Sequence, residues 1–282
     1  MLGPPAAPPR ASPLPPAPED RPMPDAPDRP SAGLRVERDG PIMTVTLARP
    51  AKKNAFTAAM YDAFADALEA LADEAALRCL VVRAEGGTFS AGNDLNDFLG
   101  QEGFDESTPV VRVLRALAAA DKPILAAVDG AAVGIGTTLL LHCDLVYATP
   151  GARFAVPFAA LGLVPEAASS RLLVELLGYR RAMAMFLLGE TLDAGAARDA
   201  GLVNELVAPE ALDARVVEAA RAVAALPEGA VRATRALCRA APASIDETVG
   251  RENARFAERL AAPETRAAIE AVIAARSSRR SG

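Results

Sequence analysis

Phe89-Ser90-Ala91-Gly92-Asn93-Asp94-Leu95 and Asp129-Gly130-Ala131-Ala132-Val133-Gly134-Ile135-Gly136 are the stretches that decide the fold. Each is a loop of small residues running from a strand end into or towards a helix. Either loop alone is also what a tight turn or close packing asks of glycine. Side by side, they can aim two backbone N–H groups at one point. Donors fixed in that way stabilise charge as it develops on a carbonyl oxygen.

The flanks of these loops set the layering. Leu34-Arg35-Val36-Glu37 and Ile42-Met43-Thr44-Val45-Thr46-Leu47 alternate apolar and polar around Arg38-Asp39-Gly40-Pro41, which predicts a β-hairpin. Residues 79–82, 123–128 and 144–148 read as short buried strands. Helical periodicity runs over 57–71, with Met60, Phe64, Leu68 and Leu71 on one face, and over 110–120 and 134–142. Strands alternating with helices predict an α/β fold whose strands are buried on both faces. After residue 165 the strand signal nearly vanishes. Residues 166–177, 180–188, 194–200, 212–225, 229–240 and 245–260 read as helices. A last helix is expected after Pro263, with Glu264 in its first turn.

Composition narrows the functional classes. The chain has 282 residues, 51% hydrophobic and 23% charged, which is a globular balance. A net charge of −6 gives no global basic field, which argues against nucleic acid as a general partner. Cys79, Cys143 and Cys238 are far apart, with no metal or redox spacing, so a reduced cytoplasmic setting is expected. Cys79 and Cys143 sit in apolar contexts and read as small core residues. His142 is the only histidine, which argues against a histidine triad or a multi-histidine metal site. It reads as a packed or capping side chain. No apolar run reaches the length of a membrane span, and the start lacks the pattern of a signal peptide. Residues 1–30 hold 12 of the 23 prolines and have little to bury, so they read as a disordered extension.

From Leu34 to Ala274 the chain resembles the crotonase (enoyl-CoA hydratase/isomerase) superfamily. Arg49-Pro50-Ala51-Lys52-Lys53-Asn54-Ala55-Phe56 is similar to its early R-P-x-x-x-N-A segment. Ala91-Gly92-Asn93-Asp94-Leu95 is similar to its A-G-x-D-h loop, and Gly134-Ile135-Gly136 to its second loop. Gly201-Leu202-Val203-Asn204 follows the G-L-V pattern. The resemblance implies a crotonase-type spiral of repeated ββα units over 31–210, carrying the CoA site. It implies a helical oligomerisation region over 211–282, in a homotrimer or a dimer of trimers. Apolar residues such as Val216, Val223, Phe256, Leu260 and Ile273 are expected to serve that assembly. The main-chain N–H groups of Asn93 and Ile135 fall on the two oxyanion donors. Ala91, Gly92, Asn93, Asp94, Leu95 and Gly134 would line the acyl-CoA site, with Lys52 and Lys53 near the CoA phosphates. Asp94 is expected to hold its loop by backbone hydrogen bonds. No metal and no cofactor beyond the CoA of the substrate is implied.

Departures from the pattern choose among activities. Hydratases of the family carry two glutamates, and here those positions are Thr138 and Phe158. A third position is filled by Glu166, in Leu163-Val164-Pro165-Glu166-Ala167-Ala168-Ser169-Ser170. This is similar to the peroxisomal-type Δ3,Δ2-enoyl-CoA isomerases, whose single glutamate occupies that place. By local sequence alone, Pro165-Glu166 opens a helix and Glu166 meets its dipole. The resemblance instead implies that Glu166 is catalytic. Hydration, another crotonase reaction such as thioester hydrolysis, and a non-catalytic CoA- or RNA-binding relative remain as alternatives.

Overall fold

The expected hairpin begins the fold. Strand β1 (Leu34–Asp39) pairs antiparallel with β2 (Ile42–Leu47), Leu34 opposite Leu47. The computed structural model describes residues 33–100, 105–239, 245–261, 266, 267, 269, 270 and 273. The chain then forms β3 (Cys79–Ala84), β4 (Ile124–Val128), β5 (Ala131–Val133), β6 (Leu145–Ala148), β7 (Arg153–Ala155), β8 (Leu192–Asp193) and β9 (Glu205–Leu206). The large sheet has the order β1-β2-β3-β4-β6-β9 and is parallel from β2 onwards. A smaller sheet has the order β5-β7-β8.

The two sheets make a spiral. After β2, Phe56 forms a parallel bridge with Asn93; after β3, Ser90 forms one with Ala132. After β4 and β6, the chain adds β5 and β7 to the smaller sheet. Each circuit therefore lays one strand in the large sheet and one extended segment in a second ribbon. Both sequence-defining loops lie on that second ribbon, one circuit apart.

Period-two alternation buries both faces of the large sheet. Leu80, Val82, Ile124 and Ala126 face a core shared with α1 (Ala58–Asp73). Helix α1 is capped by Thr57, whose side chain accepts from Met60 N at 3.3 Å; its apolar face, Met60, Phe64, Leu68 and Leu71, is buried as expected. Helices α2 (Leu95–Leu99) and α3 (Pro109–Ala119) follow β3, and α4 (Ile135–Thr138) follows β5. The C-terminal part adds α5 (Ser169–Leu177), α6 (Tyr179–Leu188), α7 (Ala194–Asp199), α8 (Leu212–Ala224), α9 (Glu228–Arg239) and α10 (Ile245–Leu260). Cys79, Val81, Leu125 and Tyr147 face the opposite core, closed by Leu212, Val216 and Ala220 of α8.

Several expectations change. The apolar run 134–142 is not one helix: α4 ends at Thr138 and a 3-10 turn, Leu139–His142, continues it. Helix α5 starts at Ser169, so Glu166 does not sit in its first turn. Ala167 and Ala168, with φ of 54° and 56°, delay the helix. Val216 and Phe256 are 1% and 2% exposed within the protomer, so they are core residues rather than surplus apolar surface. Ile273 also packs against the main core. The proline-rich segment 1–30 and the helix start at Pro263 and Glu264 lie outside the described residues. Among the described residues, no helix is long and apolar enough to cross a membrane.

Candidate active site

Gly92 and Gly134 bring the two loops into contact. Gly92 has φ +89°, and a Cβ there would sit 3.0 Å from Val133 O. Gly134 has φ +56°, and its Cβ would lie 3.8 Å from Gly92 Cα. Only glycine combines that backbone with that approach.

Most N–H donors around this contact have main-chain or side-chain acceptors, and two stand apart. Ser90 N donates to Ala131 O at 3.0 Å, Ala91 N to Lys53 O at 2.9 Å, and Gly92 N to Ser90 Oγ at 3.1 Å. Asp94 N donates to Phe56 O at 2.8 Å. Asn93 N, between them, has no acceptor among the described residues. The bridge explains its direction. Gly92 O and Asp94 N turn towards Phe56, so the N–H of Asn93 turns away from it. On the second loop, Val133 N donates to Ser90 O and Gly134 N to Ala155 O. Ile135 is the first residue of α4, where a helix leaves its N–H without an intrahelical acceptor.

Asn93 and Ile135 both line a cavity of about 220 Å³. Ala91, Gly92, Leu95, Val133 and Gly134 line it on the loop side. Pro157, Phe158, Leu161, Leu163 and, from α10, Phe256 complete the wall. Phe158 is held against Phe186, with ring centroids 6.4 Å apart. Among the described residues, no ionisable side chain lines it. Two N–H groups without a main-chain acceptor among the described residues, both on residues that line one apolar cavity, make an arrangement suited to a carbonyl that gains negative charge.

Glu166 is 3% exposed and is not among the cavity's lining residues. Its Oε1 accepts a short hydrogen bond from Thr138 Oγ1. Its carbonyl accepts from Ser169 N at 2.9 Å and from Ser169 Oγ at 2.6 Å. Tyr61, 3% exposed on α1, joins this region to the first loop, because its hydroxyl donates a short hydrogen bond to Asn93 Oδ1. Burial pushes the Tyr61 phenol well above its ordinary pKa, and the negative charge of Glu166 raises it further. Glu166, Tyr61 and Asn93 are thus electrostatic neighbours. The sequence reading missed Tyr61, because only the return of the chain after β3 places Asn93 beside α1.

Asp94 has the expected holding role and an unexpected partner. Its Oδ1 accepts from Asn96 N at 3.2 Å, and its Oδ2 pairs with Arg49 at 2.8 Å. Burial raises its pKa, but the bonds from Arg49 and Asn96 outweigh that and leave it below the ordinary carboxylate value. Asn54, fully buried, ties the same segment down. Its amide donates to Glu85 O at 2.8 Å and Thr88 O at 2.7 Å. Lys52 and Lys53 are exposed, and the Lys53 carbonyl touches the first loop through Ala91 N. His142 is buried, with Nε2 2.9 Å from Ala167 O. Among the described residues, no group of three His, Cys, Asp or Glu side chains is placed to hold a metal ion.

Comparison with known proteins gives the family. Residues 37–272 match the family described as Enoyl-CoA hydratase/isomerase. The chain is 36% identical over 196 residues to 1,2-epoxyphenylacetyl-CoA isomerase of Escherichia coli (strain K12), covering 66% of this chain and 74% of that protein. It is 35% identical over 216 residues to enoyl-CoA delta isomerase 2 of Rattus norvegicus, covering 74% of this chain and 55% of that protein. The crystal structure of an enoyl-CoA hydratase/isomerase from Pseudoalteromonas atlantica T6c matches with a TM-score of 0.81 at 39% identity, covering 86% of this chain and 96% of that one. The spiral fold, the paired loops and these matches lead to one conclusion: this chain belongs to the enoyl-CoA hydratase/isomerase family of the crotonase superfamily.

Proposed function

We propose that this enzyme shifts the double bond of a 3-enoyl-CoA to the 2 position, with Glu166 as the single base. The thioester oxygen lies between the N–H groups of Asn93 and Ile135. Glu166 takes a proton from the α carbon. The C–H electron pair moves into a dienolate, and negative charge gathers on the thioester oxygen. The same carboxyl then gives the proton to the γ carbon, and the double bond comes to rest between the α and β carbons. No water enters the balance. Each oxyanion donor contributes about 3–4 kcal/mol to such a transition state.

The observation that carries this reading is the fate of the three acidic positions. Thr138 is a donor to Glu166, and Phe158 is an apolar wall of the cavity. Neither can activate water as a base, which leaves one carboxylate. In the structure that carboxylate accepts from Thr138, and Glu166 does not line the cavity. The reaction therefore requires its rotation towards the bound acyl group, and catalytic contacts commonly tighten only with substrate bound. Lys52 and Lys53, beside the first loop, are suited to the CoA phosphates.

Spectrophotometry of a 3-enoyl-CoA and a 2-enoyl-CoA with one preparation tests the reading. Isomerisation should exceed hydration by a wide margin. A hydration rate well above the isomerisation rate would replace this function with that of a hydratase.

A further inference from the structure

We propose that His142 is a positioning residue, which sets the carboxylate of Glu166 by holding the next carbonyl, that of Ala167. The inference rests on the reading of Glu166 as the base. Glu166 is followed by two left-handed alanines, with φ of 54° and 56°. A Cβ disfavours that conformation, and two in succession persist only where the surroundings over-determine them. Both alanines are fully buried, so no water relieves them.

Donors from two elements hold the segment, and Arg171 N and Leu172 N, at 3.0 and 2.9 Å from the carbonyl of Ala168, start α5 from it. Ser169 N and Ser169 Oγ both bind the carbonyl of Glu166, at 2.9 and 2.6 Å. His142 Nε2 lies 2.9 Å from the carbonyl of Ala167. A carbonyl oxygen only accepts, so Nε2 carries the proton and donates. Burial lowers the His142 pKa to about 4, so the ring stays neutral near pH 7 with that proton in place.

The origin of the contact matters as much as its geometry. His142 ends the 3-10 turn that continues α4, and Thr138 ends α4 itself. Thr138 holds the Glu166 carboxylate, and His142 holds the main chain one residue further on. One short buried segment thus fixes both ends of the base. The same segment begins with Ile135, an oxyanion donor in the proposed mechanism. Base and oxyanion donor are therefore registered to one rigid piece. His142 is not among the cavity's lining residues, so it acts through Ala167 and does not touch the substrate.

The test compares His142→Leu, His142→Asn and His142→Gln with Glu166→Gln in the isomerase assay, recording kcat and KM separately. The glutamine amide reaches about as far as Nε2 and keeps the donor; asparagine is too short and leucine has none. A misplacement of about 1 Å costs up to about 100-fold in rate. Leucine and asparagine should therefore lower kcat by about 10- to 100-fold with KM nearly unchanged, and glutamine should recover most of it. If the leucine variant fails to fold, the asparagine and glutamine pair decides, since both are polar and differ only in reach. Equal kcat in the asparagine and glutamine variants would overturn the positioning role. A dead Glu166→Gln beside a fully active His142→Leu would overturn it while leaving the base in place. A fully active Glu166→Gln would overturn both the base and its positioning.

Discussion

The hydroxyl of Tyr61 donates to the side-chain oxygen of Asn93, a residue that lines the cavity and whose own N–H has no acceptor among the described residues. Tyr61 also stacks on Phe56, with ring centroids 4.9 Å apart. Phe56 in turn holds Gly92 O and Asp94 N at 2.8 Å each. The residue carrying the proposed first oxyanion donor is therefore held twice, by its neighbours' main chain and by its own side chain.

This changes what substitution of Asn93 should do. Its proposed chemical contribution is a main-chain N–H, so alanine should keep turnover within about tenfold, whereas proline removes the donor and should cost about 100- to 1000-fold. Alanine also strips the buried Tyr61 hydroxyl of its acceptor, which should lower stability by about 1–3 kcal/mol. Urea unfolding of Asn93→Ala, Tyr61→Phe and the double variant checks this. The double variant should lose less than the sum of the two singles. Strict additivity would mean that the Tyr61 bond adds nothing.

Gly92→Ala tests the contact between the loops. The new Cβ would have a positive φ and would press on Val133 O at 3.0 Å. Both loops must give way, so turnover should fall by at least about tenfold and the melting temperature should drop. Wild-type turnover in this variant would mean that the loops tolerate separation and do not form one oxyanion site.

Much of this architecture could be read from the sequence, and the failures share physical causes. The hairpin, β3 and β4 are runs long enough to show alternation or continuous burial. Strands of two or three residues, such as Leu192–Asp193 and Arg153–Ala155, are too short to carry a period. The start of α5 differs from the expectation because Glu166-Ala167-Ala168 has helical propensity, while Ala167 and Ala168 are left-handed and bound by the tertiary contact of His142 and the local turn to Ser169. Val216 and Phe256 were expected at a subunit interface because an apolar helix face does not say which surface it meets. Here it meets the large sheet and the cavity. The two small-residue loops were legible because their close approach at Gly92 and Gly134 is one that only glycine allows. Tyr61 was not, since its partner lies a full circuit of the spiral away.

His142 also predicts an acid sensitivity. Burial lowers its pKa to about 4 from an ordinary 6.5; the bond to Ala167 opposes that shift, and Arg239 and Arg235 deepen it. Between those values the unfolded chain takes up a proton that the folded chain refuses. Its contribution to stability is complete above pH 6.5 and is lost as pH falls towards 4. Unfolding free energy should fall by about 2 kcal/mol from pH 7 to pH 5, and that fall should flatten in His142→Gln. An unchanged slope in the variant would assign the sensitivity to other groups.

One carboxylate moves the proton in the proposed reaction, and isomerisation of a 3-enoyl-CoA by Glu166→Gln is the decisive measurement. Glutamine keeps the size of the side chain and removes the base. Acyl-CoA binding should survive, and kcat should fall by about two to four orders of magnitude. Full isomerase activity in Glu166→Gln would rule out Glu166 as the base and leave it a structural partner of Thr138.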